Sequence, residues 1–171
     1  RGVCRQGHVV VGVRPEVTSL DDGSYVITWH SRYQDTGSSD YGVYGQHYSA
    51  AGEPQGDEFQ INTTTSGHQY YPSIASLDDG GFVVTWRDDN GAADPRVGSS
   101  WDIFAKTFTT MDGATAVDTP IKDVDEFLVN SGYVGSEQYE PMVASLENGG
   151  FVVSWTDRSE TDGGDYYDVR G

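Results

Sequence analysis

Cysteine occurs once, as Cys4, so no internal disulfide can form. Stability outside a reducing compartment then has to come from packing, bound metal or assembly. No apolar run approaches the roughly eighteen residues that a membrane-spanning helix needs. There is no initiating methionine and no signal-like segment, and the chain reads as a mature product or an excised piece. Basic residues are scarce: ten Lys and Arg stand against 27 Asp and Glu, for a formal charge of -17. That balance argues against nucleic acid or an anionic membrane as partner, because both need a basic face, and it leaves cations and neutral ligands. The same acidity also serves plain solubility. Helical periodicity never exceeds about two turns. Catalytic signatures are missing as well, with no G-x-S-x-G, no H-E-x-x-H and no paired-cysteine zinc spacing. The histidines His8, His30, His47 and His68 fall at unrelated positions and read as strand or loop residues.

What the chain does have is repetition. Residues 15 to 29 read PEVTSLDDGSYVITW, residues 72 to 86 PSIASLDDGGFVVTW and residues 141 to 155 PMVASLENGGFVVSW. Each copy predicts a β-hairpin. A β-branched and aromatic run follows a turn holding Asp22 and Gly23, Asp79 and Gly80, or Asn148 and Gly149, pairs that supply the positive φ of tight turns. Pro15, Pro72 and Pro141 suit the first position of a strand, where a missing N–H costs least. A third strand is predicted at 41 to 50, 101 to 110 and 166 to 171, and a fourth at 57 to 63 and 125 to 131. With 36% hydrophobic and 12% aromatic residues the chain can fill a core.

Four antiparallel strands repeated in tandem predict an all-β protein of β-propeller-like blades, with a β-sandwich or barrel as the alternative. Residues 1 to 171 read as one domain of about three blades, and residues 8 to 13 are placed as a strand completing the last one. Alternation in the strand 82 to 86 puts Phe82, Val84 and Trp86 on one face and Val83 on the other, so both faces of a blade need cover. Three blades do not close a ring, since propellers have about four to eight. The expectation is therefore a dimer closing a six-bladed ring, or a segment of a longer repeat chain.

These residues resemble the tandem P-x-V-A-x-L-x-D-G-G-F-V-V-T-W repeats of large secreted bacterial proteins, which often stand beside hemolysin-type, calcium-binding RTX repeats. The resemblance is closest at 15 to 62 and 69 to 86 and looser at 87 to 125. It implies a secreted or cell-surface bacterial module, calcium-associated and adhesive or structural, and it brings no catalytic residues. SLDDG at 19 to 23 and 76 to 80 also matches the start of the sialidase Asp-box. Trp29 and Trp86 stand too far beyond the glycine, however, and that motif is a fold element remote from catalysis.

The loops after the three tryptophans are acidic. Asp35 with Asp40, Asp88 or Asp89 with Asp94, and Asp162 with Asp165 offer hard oxygens for Ca²⁺, although none has EF-hand spacing and the same residues serve as ordinary turn formers. Trp29, Trp86 and Trp155 recur in every copy and read as wedges between blades. Tyr33, Trp101, Tyr133 and Tyr166 lie outside the repeated frame and are the candidates for contact with a glycan. The functional expectation is a non-enzymatic module for adhesion or surface and matrix assembly, stabilised by calcium. A carbohydrate-binding propeller lectin is the alternative, with a glycoside-acting enzyme behind both.

Overall fold

In a computed structural model the chain is described over residues 13–32, 34, 40–89, 101–109, 122–123, 125–131, 137–161 and 164–171. The first blade comprises β1 (Val13–Ser19), β2 (Tyr25–Arg32), β3 (Tyr41–Tyr48) and β4 (Pro54–Gln60), hydrogen-bonded in that order. The second comprises β5 (Gln69–Ser76), β6 (Phe82–Asp88) and β7 (Asp102–Thr109), and β7 also pairs with both β8 (Lys122–Asp123) and β9 (Phe127–Leu128). The third comprises β10 (Glu137–Ser145), β11 (Phe151–Thr161) and β12 (Gly164–Arg170). Every pairing is antiparallel. The architecture is an all-β, propeller-type succession of blades. Val13 opens β1, the inner strand of the first blade; residues 8 to 12, placed with it as a strand of the last blade, lie outside the described residues.

The repeated turn is built the same way three times. Gly23, Gly80 and Gly149 have φ of 83°, 80° and 81°, and their N–H groups donate to the carbonyls of Leu20, Leu77 and Leu146. Only the glycine is left-handed. The preceding Asp22, Asp79 or Asn148 turns its Oδ1 to the N–H two residues on, at 2.9, 2.9 and 3.2 Å, so the pair is an Asx-stabilised turn and not the two-residue, doubly left-handed kind. The fourth strand also departs from the expected 57 to 63, ending at Gln60. Beyond it Asn62 turns its side chain inward: its Oδ1 accepts from the Val43 N–H at 2.8 Å, and Asn130 does the same for Ile103 at 2.9 Å. These buried asparagines replace strand pairing with a side-chain bond to the start of the third strand.

Blades pack face to face. Leu20, Val26, Val43 and Ile61 of the first meet Ile74, Phe82, Val84, Trp86, Phe104 and Phe108 of the second. On the other side of the second blade, Ala75, Leu77 and Val83 meet Val143 and Phe151 of the third. Inner strands β1, β5 and β10 lie side by side: the Ser76 N–H donates to Thr18 Oγ1 and the Val143 N–H to Ser73 Oγ, each at 3.2 Å. The second blade is thus covered on both faces, and all seven residues of β6 are buried. Within the second blade Gly81 lets the end of β7 come close, because a Cβ there would stand 2.2 Å from the Phe108 carbonyl oxygen. Backbone cannot move aside as a side-chain tip can, so Gly81→Ala is expected to lower stability by about 1–3 kcal/mol. Urea unfolding checks it, and Gly150→Ala, the equivalent position of the third blade, whose Cβ meets only the side-chain atoms Asn148 Oδ1 at 3.3 Å and Leu146 Cδ1 at 3.9 Å, is the control.

Candidate functional site at the bulged end of the blades

The end of the blades opposite the Asp-Gly turns is where the inner strands begin, and each begins with a defect. Proline cannot donate to the neighbouring strand. Around Pro15, Pro72 and Pro141 the register with β2, β6 and β11 slips by a bulge. The residues before these prolines are left-handed without being glycine: Arg14 at φ 61°, Tyr71 at 54° and Glu140 at 47°. Such a conformation costs on the order of 1–3 kcal/mol apiece and persists only where its surroundings enforce it. The three side chains also meet. Arg14 Nη1 lies 3.3 Å from Glu140 Oε1, and its guanidinium carbon sits 4.6 Å from the Tyr71 ring centroid. Both charged groups are more than half exposed, so the contact adds little stability. Its significance is positional, since equivalent residues of three blades converge on one spot.

Around that spot stands a wall of rings. His30 lies near the end of β2 and is 3% exposed, with ring centroids of Tyr41, Tyr70 and Tyr71 at 5.7, 5.4 and 5.7 Å. The Tyr71 N–H donates to its Nδ1 at 3.4 Å, which leaves the second ring nitrogen to carry the proton of the neutral form. Burial, helped by the nearby Arg14 charge, lowers the His30 pKa from 6.5 to about 4.

Arg87 occupies the matching position after Trp86. It is 9% exposed, and its guanidinium carbon lies 3.8 Å from the Trp101 ring centroid, 4.8 Å from Tyr139, 5.1 Å from Tyr71 and 5.8 Å from Tyr70. Its Nε has no hydrogen-bond partner, and no carboxylate among the described residues is within ion-pairing distance. Burial pushes the guanidinium pKa down, yet an arginine stays charged in a protein. A cation–π contact contributes about 0.5–2 kcal/mol, so π faces hold this charge where an ion pair would ordinarily do so.

Carboxylates flank the rings. Glu137 accepts from the Tyr139 hydroxyl and from Arg158 Nη1 at 2.9 Å, and the Tyr139 bond above all holds its pKa below the usual glutamate value. It is a fixed anion. Asp40 Oδ1 lies 3.7 Å from His68 Nδ1, and Asp89 Oδ1 accepts from the His68 N–H, so two acidic residues converge on His68, whose ring lies edge-on to Tyr41 and tilted against Tyr70. Half-buried aromatic faces, a buried cation and nearby carboxylates at this end of the blades can stack an uncharged ring and orient its polar substituents.

Among the residues singled out in the sequence, Trp101, Asp40 and Asp89 come together here. Asp88 does not. It is buried at 3% within β6, opposite Asp102 in the ladder, and belongs to the sheet and not to an acidic loop. Tyr33, Asp35, Asp94, Tyr133 and Asp162 lie outside the described residues, as do the side chains of Asp165 and Tyr166. Among the described residues no three of His, Cys, Asp or Glu form a group able to hold a metal ion. Trp86 and Trp155 are interblade wedges at 0% and 5% exposure, whereas Trp29 is only half-buried. Sequence reasoning missed His30, Arg87, Tyr70, Tyr71 and Tyr139. Their signal was present: they occupy the positions after the repeated tryptophan and before the repeated proline, where the three copies differ inside a constant frame.

No protein-family model matches the sequence, and no curated protein matches it. Among solved structures the fold is similar to an endo-arabinase from Bacteroides thetaiotaomicron, with a TM-score of 0.52 at 14% identity over 91% of this chain and 54% of the enzyme. A thermostable family-43 glycoside hydrolase aligns at a TM-score of 0.49 and 14% identity, over 91% of this chain and 52% of its own. The chain spans about half the length of each. The expectation of a non-enzymatic adhesion or assembly module is corrected by this likeness: the blades follow the fold of a glycoside-acting enzyme, so neither a non-enzymatic role nor adhesion follows from the repeat.

The His30 environment has a measurable consequence. Between pH 6.5 and 4 the unfolded chain binds a proton that folded His30 refuses, so stability rises with pH across this window and is lost as pH falls through it. The loss amounts to about 3 kcal/mol at its limit. Melting temperatures from pH 7 to pH 4 should therefore fall more steeply for the native protein than for His30→Gln; parallel curves would refute the neutral, buried imidazole.

Proposed function

We propose that this chain is the sugar-handling part of a carbohydrate-active propeller, and that the mouth at the bulged end of its blades receives a glycan. The observation that carries the reading is the set of half-buried rings, Tyr70, Tyr71, Trp101 and Tyr139, gathered around Arg87, with Tyr41 packed on Tyr70 and a fixed Glu137 anion beside them. Sugar rings present apolar C–H faces that stack on aromatics, while their hydroxyls need a few placed donors and acceptors. The fold shared with an endo-arabinase supports the reading by analogy alone and makes arabinan the first polysaccharide to try.

Glycoside cleavage uses two carboxyl groups on either side of the bond, one of them ionised. Glu137 suits the ionised role, because the Tyr139 hydroxyl and Arg158 hold it charged and oriented. The test is calorimetric titration with arabinan, xylan and galactan, combined with a reducing-end assay. Trp101→Ala is expected to weaken binding by roughly tenfold, the equivalent of about 1.4 kcal/mol. Glu137→Gln should keep binding and lose cleavage. Failure to bind any of the three polysaccharides, or binding indifferent to Trp101→Ala, would overturn the assignment of this mouth.

A further inference from the structure

The three central strands bury different faces. Across β6 every residue is buried. In β2 the buried residues Val26, Thr28 and His30 face the second blade, while on the other side Tyr25, Ile27 and Trp29 are only half-buried and Ser31 alone, at the bulged end, is buried. In β11 the phase is reversed: Val153, Trp155 and Asp157 are buried, and Val152 on the outer side is 44% exposed. The repeat makes the comparison strict. Val152 is the counterpart of Val83, which is 0% exposed because the third blade covers it through Val143 and Phe151. The counterparts of Val143 and Phe151 in the first blade are Val17 and Tyr25, and Val17 is 62% exposed. Met142 at 67% and Val169 at 74% widen the open patch on the third blade.

We propose that a second copy of this chain covers these faces, the first blade of each copy packing on the third blade of the other to close a six-bladed ring. The occupant follows from the repeat: the surface that would fit Val152 as Val143 and Phe151 fit Val83 is the one that Val17 and Tyr25 present. Two copies give six blades, within the range of about four to eight in which propellers close. The residues compared on both open faces are uncharged, so the joint forms between apolar surfaces despite a charge of -17 per chain, and added salt should favour it by screening repulsion elsewhere. Closure also completes the mouth. Arg14, Tyr71 and Glu140 mark only half of a ring of bulges, and the partner supplies the other half. None of this depends on what the mouth binds.

Light scattering on the eluting 171-residue chain tests it. The expected mass is twice the 18.6 kDa of one chain, unchanged on further concentration. Each joint uses one face of each kind, so Val17→Asp alone or Val152→Asp alone should halve the mass, with Met142→Lys as a second probe of the third-blade face. Far-UV circular dichroism should remain native, since all three side chains are exposed. Mixing the two Asp variants should restore a weaker pair through the one unaltered joint. A monomeric native chain, a mass that climbs with concentration, or a dimer indifferent to Val17→Asp would each overturn the proposal.

Discussion

The constraint on which the rest depends is that one four-stranded sheet of this sequence cannot bury both of its faces. Strand alternation sends Phe82, Val84 and Trp86 to one side and Val83 and Thr85 to the other, and all five are buried only because a blade lies on each side. Shape, and not hydrophobicity alone, makes the contact specific. Within the second blade Phe82 stacks on Phe108 at 4.7 Å and Trp86 on Phe104 at 6.4 Å across β6 and β7, and Phe59 of the first blade meets the Phe108 ring at 5.9 Å. The same unit repeated then has one way to satisfy itself, which is to place the next unit against it.

Packing of that kind fixes where chemistry can sit. The turns at one end are tied down three times over by leucine carbonyls and Asx side chains, and they offer little variation. At the other end the prolines interrupt each inner ladder, and the bulges swing Arg14, Tyr71 and Glu140 out of the sheet toward one another. Backbone strain at three equivalent positions is a cost the packed blades can carry, because the ladders resume in register directly after each bulge.

The scaffold was therefore legible in the sequence to the degree that it is periodic. Prolines, Asp-Gly turns and tryptophans located every hairpin, and the asparagines at 62 and 130 stood in the matching phrases FQINT and FLVNS. Their role was not legible, because a buried side-chain bond to Val43 or Ile103 depends on which strand lies alongside. The mouth was less legible still. Tyr70 and Trp101 are far apart in sequence, and only the pairing of β6 with β5 and β7 brings both rings to the same guanidinium. Histidine at position 30 looked unremarkable because its chemistry comes from neighbours in another blade.

Non-enzymatic scaffolding was the natural inference from repetition, and the reason it fails is instructive. A repeat reports what all units share, and what they share is packing. Function in such a fold resides where units differ at equivalent positions: His30 against Arg87 against Thr156 after the tryptophan, and Arg14 against Tyr71 against Glu140 before the proline. Arg14, Tyr71 and Glu140 meet at one spot, with buried His30 and Arg87 beside them, so the blades contribute groups of different charge and burial to a common surface. A symmetric scaffold thereby carries an asymmetric surface at one end of its blades.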